Sequence, residues 1–316
     1  MKLNVTMASA PGMKHGNEKP QQDRYIVTGT PLGKLLAVMD GHGGSEVSDF
    51  ISTHIKDYWN SCSEGTPKGA LMEMFVRLAN ETARWHSQGS TLSVMWIPNN
   101  TYYAYIATLG DSPVIVCNQL TLKVSPSDNV KTNEVERTAA VERGGVFLKG
   151  YICVFGSENC IAMTRALGDN SLGKVVSKEP HVFEAKLAKT CIIILATDGV
   201  LNASYGGTLE EAKPLIDIVL EGGDAQSIVD DALRRKTGDN ATAIVCQIGK
   251  LTKAMMKSGF SKETFEEEPQ YKVYKLNCEE CGADVPEDEL KPVASKGRGF
   301  VKLVCVSCKK ALNKRG

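Results

Sequence analysis

The stretch with the most information about the fold is Leu35-Leu36-Ala37-Val38-Met39-Asp40-Gly41-His42-Gly43-Gly44. An apolar run bounded by a glycine cluster predicts a buried strand that enters a tight turn. Asp40 then lies at the exit of the strand, beside a loop whose backbone can approach a ligand closely. A carboxylate in this position is typical of a hard-metal or phosphate site, although an ordinary strand-Asp-Gly turn has the same pattern.

Three other apolar runs also border aspartates. Tyr103 to Leu109 precedes Asp111, Cys191 to Thr197 precedes Asp198, and Asp239 comes just before Ala241 to Ile248. Four such junctions predict that the carboxylates meet at a common edge, the alternative being an accidental set of turn aspartates. Oxygen ligands, in a chain with only five histidines, favour Mg²⁺ or Mn²⁺ over zinc at this edge.

The order and spacing of eight short motifs resemble the metal-dependent protein phosphatases, the PPM or type 2C serine/threonine phosphatase family. The resemblance runs from about residue 10 to about residue 249. The motifs are Lys19-Pro20-Gln21-Gln22-Asp23-Arg24-Tyr25, Val38 to Gly44, Gly89-Ser90-Thr91, Gly110-Asp111-Ser112, Glu142 to Val146, Met163 to Asp169, Ala196 to Val200 and Gly238 to Thr242.

This resemblance implies an α+β fold, a central β-sandwich flanked by helices on both faces. It also implies hydrolysis of phosphoserine and phosphothreonine in phosphoproteins by two Mg²⁺ or Mn²⁺ ions roughly 3.5–4 Å apart, which activate a water; a third ion is a further possibility. The expected metal residues are Asp40 as the bridging carboxylate, Gly41 through its carbonyl, Asp198 and Asp239 on the first ion, Asp111 on a weaker third ion, and Gln22 and Asp23 through waters or hydrogen bonds.

His42 follows the bridging aspartate by two residues and is expected to protonate the leaving alkoxide. A general acid typically accelerates such a step by about 10²–10⁴-fold. The alternative is a structural histidine that bonds the loop backbone. Arg165 and Asp169, in the Met163 to Asp169 motif, are expected to be structural rather than catalytic.

The sequence departs from the family pattern near its start. Gln22-Asp23 stands where many members have Glu-Asp, and the arginine that often binds substrate phosphate has no clear counterpart. Lys14 or Lys19 is the expected substitute, but a lysine supplies a point charge and not a bidentate fork. An alternative function is therefore a catalytically weak phosphatase-like scaffold that binds partners.

Composition is that of a soluble globular protein. The 316 residues include 37 basic and 37 acidic side chains, which gives no overall attraction to nucleic acid or membrane. No apolar run approaches the length of a membrane span, and the N-terminus lacks the pattern of a secretory signal. The expected location is intracellular, cytoplasmic or nuclear.

Two CxxC pairs near the C-terminus, with the 23 residues 282–304 between them, predict a zinc ribbon with one structural Zn²⁺. A redox dithiol or two disulfides are the alternatives. Mixed charge around the pairs favours a protein partner over nucleic acid. The expected zinc ligands are Cys278, Cys281, Cys305 and Cys308.

The expected organisation is a phosphatase domain over residues 1–249, a linker over 250–270, and the zinc-ribbon-like module over 271–316. Helical spacing of apolar residues predicts helices over Ser45 to Tyr58, Leu71 to His86 and Gln226 to Leu233. Three cysteines in strand-like runs are expected to be free and buried, namely Cys117, Cys191 and Cys246.

Overall fold

The computed structural model describes residues 1–155, 159–201, 208–256 and 260–266, with the short pieces 276–277, 284–285, 290–294, 301–305, 307 and 310. The chain divides into two compact units, Met1–Glu266 and Glu267–Gly316. All four strand-end aspartates lie in the first unit.

The strands are short to medium in length and are numbered in chain order. They are β1 Leu3–Ala10, β2 Met13–Lys14, β3 Asn17–Glu18, β4 Arg24–Thr30, β5 Gly33–Met39, β6 Gly41–His42, β7 Gly89–Ser90, β8 Leu92–Pro98, β9 Tyr103–Leu109, β10 Val114–Cys117, β11 Thr121–Val124, β12 Val146–Leu148, β13 Tyr151–Cys153, β14 Cys160–Ile161, β15 Leu167–Gly168, β16 His181–Lys186, β17 Cys191–Ala196, β18 Ala241–Ile248, β19 Ser261–Thr264, β20 Leu276–Asn277, β21 Asp284–Val285, β22 Leu290–Ala294 and β23 Val301–Cys305.

The helices lie between these strands. They are α1 Glu46–Asn60, α2 Pro67–Thr82, α3 Glu134–Glu142, α4 Thr208–Leu220 and α5 Ala225–Arg234, with short 3-10 turns at Asn170–Val175, Asp198–Val200 and Lys253–Met255.

Two large sheets form the body of the first unit. One has the strand order β16-β9-β8-β5-β4, and the other has the order β1-β18-β17-β10-β11-β19. Neighbouring strands are antiparallel except β11 and β19, which are parallel. Smaller sheets join β15, β7 and β6, and β12, β13 and β14.

The side chains of β5 alternate between two layers of the core. Leu36 and Val38 are fully buried against residues of the other large sheet, such as Ile193. Leu35, Ala37 and Met39 face α1 and α2 on the opposite side. Helices α4 and α5 cover the outer face of the six-stranded sheet. The layers confirm the expected α+β fold, with sheets flanked by helices.

Most predicted elements are confirmed. The apolar runs 103–109 and 241–248 form β9 and β18, and the predicted helices correspond to α1, α2 and α5. Helices α3 and α4 were not expected. Their sequences offer weaker signals, since α3 is short and α4 contains Pro214, a residue that normally disfavours a helix interior.

The segment 250–270 does not behave as a linker throughout. Leu251 and Phe265 are buried, and Ser261–Thr264 forms β19 at the edge of the six-stranded sheet. The four residues of β19 are polar, so no apolar alternation marked them as a strand in the sequence. The boundary between the two compact units accordingly falls after Glu266, later than residue 249.

Two antiparallel pairs are described in the second unit, β20 with β21 and β22 with β23. Cys305 is the last residue of β23, whereas Cys278, Cys281 and Cys308 lie outside the described residues. Within the described part of the chain, no helix is long and apolar enough to cross a membrane.

The cysteines of the first unit fall into two groups. Cys117, Cys191 and Cys246 are free and buried, as expected from their strands, and Cys62 is also free. Cys153 and Cys160 form a disulfide that joins β13 to β14, a pairing that the sequence analysis did not anticipate.

Candidate active site

The predicted metal residues converge at one end of the two large sheets. Strands β4 and β5 pair with Arg24 opposite Met39, so Asp23 and Asp40 leave adjacent strands side by side. Strands β17 and β18 pair with Ala196 opposite Ala243, which brings Asp198 to the turn that contains Asp239.

Asp40 and Asp198 are neighbours at this end, and each influences the pKa of the other. The backbone of Asp40 is fixed by Thr91: the amide of Asp40 donates to Thr91 Oγ1 at 3.0 Å, and the amide of Thr91 donates to the carbonyl of Asp40 at 3.0 Å. Gly199 permits this arrangement, because a Cβ there would overlap the carbonyl of Asn240.

Asp23 lies beneath this pair in a polar pocket. Its Oδ2 accepts hydrogen bonds from Thr197 Oγ1 and Thr242 Oγ1, each at 2.8 Å. Burial raises the pKa of Asp23 to about 6, although the two threonine hydroxyls oppose that increase. A carboxyl group at this position therefore retains protons far more readily than an exposed aspartate does.

Three further carboxyls of the cluster, those of Asp40, Asp111 and Asp198, have raised pKa values as well. Burial raises the pKa of Asp198 to about 7, and the charges of Asp111 and Asp239 add to this effect. Burial and the charge of Asp198 raise the pKa of Asp40 well above its usual range. Burial also raises the pKa of Asp111, against a hydrogen bond from Asn129 Nδ2 at 2.9 Å. The cluster thus concentrates negative charge with little internal compensation.

Unpartnered oxygens show what such a cluster can hold. The Oδ1 atoms of Asp23, Asp111 and Asp198 are buried and have no hydrogen-bond partner among the described residues. Buried polar atoms without partners are rare and need an explanation. Carboxylate oxygens that lack donors are the ligands that Mg²⁺ and Mn²⁺ prefer, so these residues fit a hard divalent cation.

The two candidate lysines lie in different environments. Lys19 forms an ion pair with Asp239, and the charge of that carboxylate raises the pKa of Lys19 although burial alone would lower it. The charges of Asp40 and Asp23 also raise the pKa of Lys19, so its ammonium group lies near these two aspartates as well. Lys14 is an exposed residue of the β2–β3 hairpin. The structure therefore brings Lys19, and not Lys14, into ionic contact with an aspartate of the cluster.

Gln22 and Gly41 enter the site through their backbones. The amide of Gln22 donates to Asn240 Oδ1 at 3.2 Å, and its carbonyl accepts from Ser48 Oγ at 2.6 Å. Gly41 belongs to β6 and is opposite Ser90 of β7. Both residues thus tie the loops that contain Asp23 and Asp40 to neighbouring elements.

His42 has a partner that the sequence analysis did not assign. Its Nε2 lies 2.6 Å from Asp169 Oδ2, and Asp169 is almost completely buried. Asp169 was expected to be structural, yet it contacts the proposed general acid directly. No local pattern reveals this pair, because the two residues are separated by 127 positions in sequence.

A second cluster, formed by Asp128, Glu136 and His181, also has the composition of a metal site, with possible ligand atoms within 4.8 Å of one another. Here, however, the guanidinium of Arg165 donates to Glu136 Oε1 at 2.6 Å and lies 3.6 Å from Asp128. His181 Nε2 lies 2.7 Å from Asp128 Oδ1. A protein cation already compensates these carboxylates, so the cluster is better described as a buried ion-pair network.

Comparisons with known proteins point to one family. The profile of the family described as protein phosphatase 2C matches residues 12–241. The chain is similar to probable protein phosphatase 2C 17 of Arabidopsis thaliana, with 28% identity over 69% of this chain and 78% of the relative. It is also similar to probable protein phosphatase 2C 28 of the same plant, with 30% identity over 68% of each chain.

A solved structure supports the fold. The serine-threonine phosphatase 2C of Toxoplasma gondii superimposes with a TM-score of 0.63 at 17% identity, over 78% of this chain and 94% of that one. At this level of identity the likeness concerns the fold alone. The family profile covers well over half of the sequence, including every aspartate of the cluster, and on this basis the chain belongs to the protein phosphatase 2C family.

Proposed function

We propose that this protein is a Mg²⁺- or Mn²⁺-dependent phosphatase that removes phosphate from phosphoserine and phosphothreonine in proteins. One observation carries the proposal beyond family membership. Five aspartates converge at one end of the sandwich, and three of them have a buried oxygen without a partner among the described residues. Carboxyl oxygens without donors, grouped in this way, favour the binding of hard divalent cations.

Each residue of the cluster has a proposed role. Asp40 would hold both ions, Asp198 and Asp239 would hold the first of them, and the Gly41 carbonyl would hold the second. Asp111 serves a third, weaker position, and Gln22 and Asp23 support the site through hydrogen bonds. Bound Mg²⁺ or Mn²⁺ would supply positive charge for the phosphate dianion and lower the pKa of the attacking water.

The surrounding side chains handle the substrate. Lys19 would bind the phosphate through its ammonium group once the carboxylate of Asp239 binds a metal ion instead of Lys19. Among the described residues, Lys14 makes no ion pair with the cluster and is the second candidate. His42 gives a proton to the leaving serine or threonine oxygen as the bond from that oxygen to phosphorus breaks. Proton donation at this point avoids the release of a strongly basic alkoxide.

The test is a metal titration of the full chain on a phosphothreonine peptide and on p-nitrophenyl phosphate. EDTA should abolish turnover reversibly, and Mn²⁺ or Mg²⁺ should restore it. The same ions should raise the melting temperature, since binding to the native state alone stabilises by about 2.7 kcal/mol at a hundredfold excess over Kd. The proposal would be contradicted if the protein showed no turnover of either substrate and if these ions did not raise its melting temperature.

The alternative is a phosphatase-like scaffold that binds partners without efficient turnover. Gln22, in place of an acidic residue, and the missing N-terminal arginine favour this alternative. A protein that binds Mn²⁺ by thermal shift but shows no turnover on phosphopeptides would support it. The titration above therefore distinguishes the two functions.

We also propose that residues 271–316 form a zinc-ribbon-like module that binds one Zn²⁺ and recruits a protein partner. The two CxxC pairs have the ligand spacing of such a site. Asn277, at the end of β20, immediately precedes Cys278, and β23 ends at Cys305. Each pair therefore begins where a short antiparallel strand ends.

Elemental analysis of the purified full chain tests this module. About one equivalent of zinc is expected, and Cys305→Ser should reduce it while metal-activated phosphatase activity persists. Cys62→Ser is the matched control, since Cys62 is a free cysteine of the first unit. Zinc content well below half an equivalent in the wild type would contradict the assignment.

A further inference from the structure

The Gly89-Ser90-Thr91 and Met163 to Asp169 motifs meet beside His42. Strand β7 lies between β6 and β15 in a three-stranded sheet, with Gly89 opposite His42 on one side and opposite Gly168 on the other. The amide of Asp169 donates to the carbonyl of Gln88 at 2.8 Å. Two chain segments remote in sequence are thus held on either side of one glycine.

Gly89 leaves the space in which the His42 and Asp169 side chains meet. A Cβ at this position would overlap Asp169 Oδ2 and would lie 2.5 Å from His42 Nε2. Any larger residue would therefore push the carboxylate and the imidazole apart. The glycine is explained by this close approach of two side chains.

The backbone around Asp169 is fixed in an uncommon conformation. Asp169 has a φ of 49°, in the left-handed region, and the preceding Gly168 has a φ of 76°. Lys178 Nζ donates to the carbonyls of Ala166 at 2.8 Å and of Gly168 at 2.6 Å. A strained residue persists when its surroundings determine its conformation, and such residues cluster at functional sites.

The two nitrogens of His42 have different environments. Nε2 faces the buried carboxylate of Asp169 at 2.6 Å, whereas Nδ1 is buried and has no hydrogen-bond partner in the described part of the chain. The ring lies close enough to Asp111 for the two groups to interact electrostatically. Asp169 therefore fixes the ring through Nε2, and Nδ1 is the nitrogen that remains for another group.

We infer that Asp169 is a positioning residue that fixes His42 as the Nε2–H tautomer and thereby makes Nδ1 the atom that exchanges protons with the substrate. This inference rests on the proposed phosphatase function. In the protonated ring both nitrogens carry hydrogen, and Nε2–H remains bonded to Asp169. As the phosphorus–oxygen bond of phosphoserine breaks and a water oxygen bonds to phosphorus, the Nδ1 proton passes to the serine oxygen. The neutral Nε2–H ring that remains is the form that Asp169 stabilises, and the proton that the attacking water releases replaces the one that Nδ1 gave up.

The first arm of the test is spectroscopic and needs no metal or turnover. In metal-free protein labelled with ¹⁵N-histidine, the His42 signals are assigned by their loss in His42→Gln. The neutral ring should be protonated at Nε2 in the wild type and should shift toward the Nδ1–H form in Asp169→Asn. An Nδ1–H ring in the wild type, or no change in Asp169→Asn, would overturn the inference.

The second arm is kinetic and compares leaving groups. Asp169→Asn should slow hydrolysis of a phosphoserine peptide by about 10²-fold, within the usual range of a general acid, and p-nitrophenyl phosphate hydrolysis by only about threefold. The double variant with Asp169→Asn and His42→Ala should be no slower than His42→Ala alone, because both changes remove the same proton donation by His42. Equal losses on both substrates, or additive losses in the double variant, would overturn the inference.

His181→Gln is the matched control. His181 forms the equivalent buried pair with Asp128 at 2.7 Å, outside the aspartate cluster. His181→Gln should lower the melting temperature and should reduce the rates of hydrolysis of both substrates by the same factor. If the wild type has no turnover at all, the proposed function fails, while the tautomer measurement still decides whether Asp169 sets the state of His42.

Discussion

Two clusters of carboxyl groups, one partly buried and one buried, differ in how their negative charge is balanced. The aspartate cluster of Asp23, Asp40, Asp111, Asp198 and Asp239 has Lys19 as its paired cation and three buried oxygens without partners among the described residues. The ion-pair network of Asp128, Glu136, Arg165 and His181 has an internal cation in contact with its carboxylates.

Hydrogen bonding reinforces this difference. In the ion-pair network, Asp128 Oδ2 accepts from the amide of Gly110 at 2.8 Å, and Glu136 Oε2 accepts from Thr164 Oγ1 at 2.6 Å. Hydrogen bonds from Arg165 and Thr164 hold the pKa of Glu136 below its usual value although burial acts to raise it. Composition alone therefore does not identify a metal site, whereas the balance of charge and donors does.

Removal of a carboxylate from the aspartate cluster tests most directly whether this cluster binds the catalytic cations. Asp198→Asn should reduce metal-dependent turnover by at least about 10³-fold, because a bound ion stabilises the transition state by several kcal/mol. The metal-free protein should fold at least as well as the wild type, since one member of a repulsive cluster becomes neutral. Turnover and melting temperature with EDTA and with Mn²⁺ measure both effects.

Asp57→Asn is the control for this variant, because Asp57 is exposed on α1, away from the cluster. It should retain turnover and the thermal shift with Mn²⁺. If Asp198→Asn retains a wild-type response to Mn²⁺, then the cluster is not the catalytic cation site.

Four carboxylates of the aspartate cluster were predictable from sequence because each borders an apolar strand, whereas Asp23 was expected only from the resemblance to the family. The bounds of strands such as β9 and β18 are predicted by their apolar or alternating runs, and the positions of the adjacent turn residues are predicted with them. The pairing of His42 with Asp169 was not predictable, since it depends on how β6, β7 and β15 associate. Strand β19 was also missed, because its polar residues give no periodic signal and only the neighbouring sheet makes them a strand.

The ion-pair network should respond to loss of its cation in the opposite sense. Arg165→Met leaves Asp128 and Glu136 buried without their guanidinium partner, and breaking a buried pair in this way costs about 3–5 kcal/mol. Urea unfolding of the metal-free protein measures the change. The fraction that remains folded should still be activated by Mn²⁺.

An exposed ion pair supplies the control for that loss. Arg234 pairs with Asp231 on the surface of α5, so Arg234→Met should cost no more than about 1 kcal/mol. If Arg165→Met costs as little as Arg234→Met, then the network contributes no more than a surface pair and the contrast between the two clusters disappears.

The stability of the metal-free protein should depend on pH through the aspartate cluster. Because the pKa values of Asp198 and Asp23 rise to about 7 and about 6, the metal-free native state binds protons that the unfolded chain, with an ordinary value of 3.8, releases. Their contribution to stability is therefore complete below pH about 4 and is lost as pH rises to about 7. Mn²⁺ binding should strengthen over the same range, since its ligands must lose their protons.

The difference in unfolding free energy between wild type and Asp198→Asn isolates this contribution. Without metal, Asp198→Asn should gain stability relative to the wild type as pH increases from 5 to 8. A difference that is constant with pH would show that Asp198 does not retain a proton in the metal-free protein.

The smallest expected effect concerns the cation of the aspartate cluster itself. Lys19→Met should lower kcat/KM for a phosphothreonine peptide by about tenfold, the order expected for one hydrogen bond between charged groups. Lys14→Met is the matched comparison, and because Lys14 is exposed on the β2–β3 hairpin it should change kcat/KM by less than about twofold. Steady-state kinetics at saturating Mn²⁺ measure both variants, and added salt should weaken substrate binding less in Lys19→Met than in the wild type. A larger loss in Lys14→Met than in Lys19→Met would move the phosphate-binding charge to the hairpin, and Lys19 would then serve only to neutralise Asp239.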